Sequence, residues 1–248
     1  LSRRERRIGV TNSQSSLQQA QHEVHGLVTN WLIATIAARK GDAVHLRVRL
    51  TPPHAGNTQA LGQANLSLHG GPLRLQALGP TMEDAGLLLV ERLARHPAHG
   101  ADGFTPRPWP APPTQIPESH GPLKVTRRKH VRLARSTAIE AARAMDDLDY
   151  DAHLFTDAST DQDAVIYRAG PTGYRLRRQR PAAPAERRSV PLVTDPGPAP
   201  LLALGGALQL LALTGKRTVF FTDLHSGRGA LLYTRYAGGY GLIGPADE

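Results

Sequence analysis

"FTDASTDQDAVIYRAGPTGYRL", Phe155 to Leu176, and "FTDLHSGRGALLYTRYAGGYGL", Phe221 to Leu242, decide how the second half of this chain is built. Phe155-Thr156-Asp157 recurs as Phe221-Thr222-Asp223, Tyr167 as Tyr233, Gly173-Tyr174 as Gly239-Tyr240 and Leu176 as Leu242. Every pair shares one offset, 66 residues, with no gap. A register held that long marks a tandem duplication. Each copy is expected to be a small β-α-β-β domain, with a helix followed by two strands. The first helix, Thr137 to Leu148, opens with a Thr137-x-x-Glu140 capping box, and the second, Pro200 to Leu213, has proline at its start and Gly215 at its end. The closing "AGGYGLIGP" follows a strand and does not open a helix, so its glycines read as a turn and not as a phosphate cradle.

Two proline-rich stretches set the boundaries. Pro97 to Pro122 cannot hold a helix or a central strand, because proline lacks the N–H and restricts its predecessor. Residues 97–122 are expected to be an extended linker. A second break, Arg177 to Pro200, leaves residues 179–189 as the link between copies, with a possible strand from Ser189 to Thr194. The expected domains are residues 1–96, 123–178 and 190–248.

In the first of these, Leu17, Ala20, Val24, Leu27, Val28, Trp31, Leu32 and Ile36 recur at helical spacing, predicting a helix from about Ser16 to Arg39. "AVHLRVRL" then alternates, with Val44, Leu46, Val48 and Leu50 toward a core and His45, Arg47 and Arg49 outward. "QANLSLHG" and "PLRLQAL" continue the alternation across a "HGGP" turn. A last helix starts at Thr81, in a Thr-x-x-Asp capping arrangement, and runs to about His96. With a short strand near Arg7 to Val10, the predicted order is β-α-β-β-β-α. The fold class is α+β, with helices on one sheet face and arginines on the other.

Composition limits the chemistry. The 248 residues contain no cysteine, so disulfides and thiolate metal sites are absent. The longest apolar run, Leu201 to Leu213, falls short of the roughly 20 residues of a membrane span. "LSRRERRIG" has no apolar core for a secretory signal, so a cytoplasmic protein with no membrane association is expected. "LTGKRT" lacks the upstream glycine of a phosphate-binding loop, and His22 and His25 have no evident third metal ligand. The acidic runs Asp146 to Asp151 and Asp157 to Asp163 lack the glycine and glutamate of a calcium loop. No catalytic residue, metal, cofactor or small-molecule substrate is expected.

The charge is the positive signal: 30 Lys+Arg against 21 Asp+Glu, a net +9. Arg39, Lys40, Arg47, Arg49, Arg74, Arg92 and Arg95 lie in a small domain with few aromatics for base stacking. That suits recognition of phosphate backbone and shape in folded RNA, with ordinary solvated surface charge as the alternative for part of the set.

The repeat carries a family resemblance. "FTDASTDQDAVIYRAGPTGYRL" and "FFTDLHSGRGALLYTRYAGGYGLIGP" resemble the C-terminal domain of long-form ribosome hibernation promoting factors, with a Tyr-Arg strand and a closing "YGLIxP". The first copy keeps Tyr167-Arg168 and lacks the closing motif, while the second keeps "GYGLIGP" and has Tyr233-Thr234. "LKVTRRKHVRLARSTAIEAARAMDDL", "LRVRLTPP" and "PTMEDAGLLLVERLARH" resemble other parts of the family pattern, so the likeness covers nearly the whole chain. Two C-terminal copies in place of one resemble the actinobacterial, dormancy-associated branch.

The resemblance implies a factor that occupies the decoding region of the 30S subunit, on 16S rRNA and ribosomal proteins. It would block messenger and transfer RNA and hold idle 70S ribosomes during stress or dormancy. The seven cations above are then the expected rRNA contacts. The competing reading is a nucleic-acid-binding transcription modulator; a nucleotide-processing enzyme is disfavoured by the missing site. In single-copy relatives the C-terminal domain pairs with its twin on another chain. Here both twins lie on one chain, which implies a monomer with internal pairing. Phe155, Ile166, Tyr167, Phe220, Phe221, Leu232 and Tyr233 are the expected interface. Met145 and Leu148 of the first copy are also expected to help cover the apolar second helix.

Overall fold

The structure is a computed structural model that describes residues 3–38, 45–53, 58–68, 71–96, 123–169, 173–182, 192–235 and 238–246, with side chains from residue 18 onward. The proline-rich stretch 97–122 lies outside the described residues, as do Arg39 and Lys40. The chain divides into two compact units, Leu1–Ala98 and His99–Glu248.

The first unit runs α1 (Arg3–Ala38), β1 (His45–Thr51), β2 (Ala60–Leu68), β3 (Gly71–Gly79) and α2 (Met82–Arg95). The three strands form one antiparallel sheet in the order β1-β2-β3. Their inward residues Leu46, Val48, Leu66, Leu73 and Leu75 meet Val28, Leu32 and Ile36 of α1 and Leu89 and Leu93 of α2. Each fully buried leucine in such a cluster contributes roughly 1.5–3 kcal/mol. Close approach depends on two glycines. A Cβ on Gly62 would sit 2.9 Å from Leu89 Cδ1, and Gly86 lies directly against Val28 where the helices cross. Thr81 caps α2 through the full reciprocal box with Asp84.

The short strand expected near Arg7 to Val10 is absent. Those residues belong to α1, the order is α-β-β-β-α, and no fourth strand joins this sheet among the described residues. Gly9 and Gly26 each cost the helix only about 1 kcal/mol, and no proline between Arg3 and Ala38 stops the turn from propagating.

The second unit contains two five-stranded sheets. One has β5 (Arg135–Ser136), β6 (Ala152–Asp157), β7 (Gln162–Arg168), β8 (Tyr174–Arg178) and β9 (Leu192–Thr194) in that order. The other has β10 (Leu201–Leu202), β11 (Thr218–Asp223), β12 (Gly229–Thr234), β13 (Tyr240–Pro245) and β4 (Val125–Val131). Helix α3 (Ala138–Asp147) packs on β6 and β7, and α4 (Leu204–Thr214) on β10, β11 and β12.

The copies are not closed β-α-β-β units. The strand preceding the first copy, β4, pairs in parallel with β13 of the second, and β9 pairs with β8 of the first. Each sheet is finished by its neighbour's leading strand. The second helix also begins later than proline suggested: Leu201 and Leu202 form β10, and Ala203 is the N-cap. Gly215 ends it at φ +60°, as its position predicted. Thr137 and Glu140 form the predicted reciprocal box on α3. Gly238 and Gly239, both at positive φ, make the turn into β13.

Candidate nucleic-acid interface and the paired copies

The β1 alternation sends Arg47 and Arg49 to the sheet face opposite the helices, where both are exposed. Register extends that face across the sheet. Arg47 stands beside Asn65, which stands beside Arg74, and Arg49 beside Gln63, which stands beside Gln76. Strands lie about 4.8 Å apart, so Arg47 and Arg74 are about 10 Å from each other on one surface. Gln76 Oε1 accepts from Arg74 Nη2 at 2.9 Å and from Gln63 Nε2 at 3.0 Å, which orients the Arg74 guanidinium.

The other two described cations of the expected set sit elsewhere. Arg92, on α2, donates to the Gln76 carbonyl at the β3 edge, and Arg95 pairs with Glu91 at 2.6 Å on the exposed helix surface. The sheet thus groups Arg47, Arg49 and Arg74, with Gln63, Asn65 and Gln76 among them. Gln63 and Asn65 were legible in the outward positions of "LGQANLSL" and Gln76 in those of "PLRLQAL", but polar residues on an outward face attract no notice until register brings arginines beside them.

In the second unit the expected interface residues divide between two faces. Phe155 and Ile166 are buried beneath α3 with Met145, Tyr174 and Leu176. Phe221 and Leu232 are buried beneath α4 with Leu208 and Leu211. The layer where the two copies meet holds Leu154, Val165, Phe220 and Leu231, with Ala152, Ala199, Leu133, Tyr167 and Ile243. Tyr233, half-buried, shares a strand face with Leu231 and lies over Gly241. Helix α4 is not covered by α3 of the first copy: Leu213 is 86% exposed, and Met145, on α3, is buried against Phe155 and Ile166 of its own sheet. A single sheet suffices to bury Ala207, Leu208 and Leu211, with Leu204 and Leu210 half-buried beside them, while Gln209, Ala212 and Leu213 are exposed.

Polar groups are also buried in this unit. Arg178 Nε donates to Asp157 Oδ2 at 2.6 Å, both side chains almost fully enclosed. Tyr174 donates its hydroxyl to Asp146 Oδ2 at 2.5 Å and accepts from Arg168 Nη1 at 2.8 Å, with the Arg168 guanidinium 5.0 Å over its ring. Burial first, and the Asp146 hydrogen bond second, push the Tyr174 hydroxyl far above its usual range. It is a fixed donor, not a nucleophile. His153 stacks between Tyr150 and Phe155, and burial lowers its pKa. Among the described residues no group of three or more His, Cys, Asp or Glu could hold a metal, and no helix is long and apolar enough to cross a membrane.

Residues 121–176, which take in all but the last two residues of the first copy, match the family described as "Sigma 54 modulation/S30EA ribosomal protein C terminus". Over 228 residues the chain is 40% identical to a "Dormancy associated translation inhibitor" of Mycobacterium tuberculosis, covering 87% of this chain and 82% of the relative. The match is the same for strains CDC 1551 and H37Rv. The chain belongs to the hibernation-promoting-factor family, in its actinobacterial branch.

Proposed function

We propose that this protein is a non-enzymatic, cytoplasmic translation silencer that binds the small ribosomal subunit through its first unit. It occupies the decoding region, excludes messenger and transfer RNA, and holds ribosomes as idle 70S particles in stress or dormancy. The observation that carries the reading is the open sheet face bearing Arg47, Arg49 and Arg74, with both helices packed on the other side. A sheet uncovered on one side and lined with guanidinium and amide groups fits folded RNA, where phosphates and the minor groove are read more by shape than by base. The relative's description as a translation inhibitor supports the same direction. Arg92 and Arg95 on α2 would extend the contact beyond the sheet, and Arg39 and Lys40 complete the proposed set.

The second unit is an intramolecular pseudo-dimer in this reading. Leu154 and Phe220, Val165 and Leu231, and Leu133 and Ala199 are equivalent positions of the two copies, and all six meet in one apolar layer. Each copy's sheet takes its last strand from the other copy's leading segment, so neither sheet draws that strand from another chain. The protein is then a monomer that does not bridge two ribosomes. Sedimentation of ribosomes saturated with the protein tests both parts. The protein should travel with 70S particles at low salt and leave them at high salt, and no 100S peak should form. A protein that stays at the top of the gradient at low salt overturns ribosome binding and favours the transcription modulator. A dominant 100S peak overturns internal pairing.

A further inference from the structure

We propose that residues 163 and 229 form a one-of-each code that lets the first C-terminal copy pair with the second and with nothing else. The proposal rests on the reading that the two copies pair within one chain, and it names the residues that enforce the choice. Asp163 and Gly229 are the same position of the repeat, separated by the 66-residue offset. They also touch. A Cβ added at Gly229 would lie 2.6 Å from Asp163 Cβ and 2.9 Å from the Phe220 ring. Equivalent positions that face each other mark where an approximate twofold axis passes, and a residue on such an axis meets its own counterpart. At that separation both cannot carry a side chain.

The surrounding chemistry is equally one-sided. The Asp163 carboxylate is buried and accepts from the Gly229 N–H at 2.8 Å and from Arg228 Nε at 2.8 Å and Nη2 at 3.2 Å. Gln179 adds two bonds from the first copy, donating to Thr222 Oγ1 at 3.3 Å and to the Gly227 carbonyl at 2.8 Å. The repeat equivalents lack these groups: Gln162 stands for Arg228, and Pro245 for Gln179.

Now consider the homotypic pairs that two chains could form. First copy against first copy would press two aspartates together on the axis, burying two carboxylates with no arginine beside them. Second copy against second copy would clear the axis, but its buried Gly229 N–H would have no carboxylate to bond, the exposed Arg228 would turn to solvent, and proline could not replace the Gln179 amide. The heterotypic pair alone satisfies both. The duplicated chain has diverged at its symmetry axis into a lock and key, which turns a surface suited to self-association into one that recognises a single occupant.

The test uses the full chain and moves the constellation to the other copy. Gly229→Asp should lower the melting temperature by about 5 °C or more, because the new carboxylate meets Asp163. A reciprocal exchange comprises Leu154→Phe, Gln162→Arg, Asp163→Gly, Phe220→Leu, Arg228→Gln and Gly229→Asp. It rebuilds the contacts among the aspartate, the glycine N–H and the arginine in mirror order, leaves Gln179 and Pro245 as they are, and should regain most of the loss. Melting of Gly229→Asp with the wild type, or an exchange variant no better than Gly229→Asp, overturns the code. Should Gly229→Asp fail to fold, the exchange variant still decides. Sedimentation equilibrium of the wild type separates the underlying reading: a dimer would overturn pairing in cis, while the exchange result would still judge the code.

Discussion

Tyr167 on β7 donates its hydroxyl to Asp195 Oδ2 at 2.7 Å, tying the first copy's sheet to the segment that leads into the second copy. Asp195 is held from the other side by Arg175 Nη1 at 3.4 Å. Burial, and then the hydrogen bond to Asp195, push the Tyr167 hydroxyl up to about 12. An unfolded tyrosine ionises near 10, so the unfolded chain releases this proton first and stability falls as pH rises from about 10 to about 12. Tyr167→Phe should cost about 1–2 kcal/mol at neutral pH and should flatten that alkaline loss. Urea denaturation at neutral and alkaline pH measures both.

His153 contributes on the acid side. Its pKa is lowered by burial between Tyr150 and Phe155, so folding favours the neutral ring. Above about pH 6.5 both states are neutral and this group contributes no pH dependence. As pH falls below that value the unfolded chain takes up the proton and the folded one resists, so stability declines. His153→Phe, which keeps an aromatic ring in the stack, should shrink the loss in melting temperature between pH 7.5 and pH 5. An unchanged acid slope would locate the titrating group elsewhere.

Arg47 and Arg49 should contribute to RNA affinity and little to stability, since both are exposed on the face away from the core. Arg47→Glu combined with Arg49→Glu should weaken binding to the small subunit by about tenfold or more at low salt. The salt dependence of binding should become shallower by about two phosphate contacts. The circular dichroism melt should stay within about 1 °C of the wild type. Unchanged affinity in the folded double variant would remove these two residues from the interface.

Strand exchange predicts a crossed effect. Deleting Leu123 to Arg132 removes β4, which precedes the first copy but pairs with β13 of the second. Backbone amides of Tyr240 to Pro245 should lose hydrogen-exchange protection, while Tyr174 to Arg178, paired with β7 and β9, should keep most of theirs. The reverse pattern would mean that each copy completes its own sheet.

Much of this architecture was legible before any coordinates. Alternation in "HLRVRL" placed Arg47 and Arg49 opposite the core because one face of the first sheet is wet, and a strand with one wet face displays its parity. The 66-residue offset exposed the duplication, and both capping boxes appear where Thr81 and Thr137 predicted them.

Tertiary structure decided what parity could not. In "HLFTD" and "TVFFTD" apolar residues stand side by side, because one face of each sheet meets a helix and the other meets the second copy. With no polar face as reference, Phe155 and Leu154 are interchangeable on paper, and so are Phe221 and Phe220. Packing alone assigns Leu154 and Phe220 to the join between copies and Phe155 and Phe221 to the helices. Strand exchange was equally hidden, since backbone ladders are indifferent to side-chain identity and β4 could close either copy. The repeat, the helix caps and the outward arginines were therefore set by local sequence. Which strand finishes which sheet, and which residues meet between the copies, depended on how two units of the same element order share one small volume.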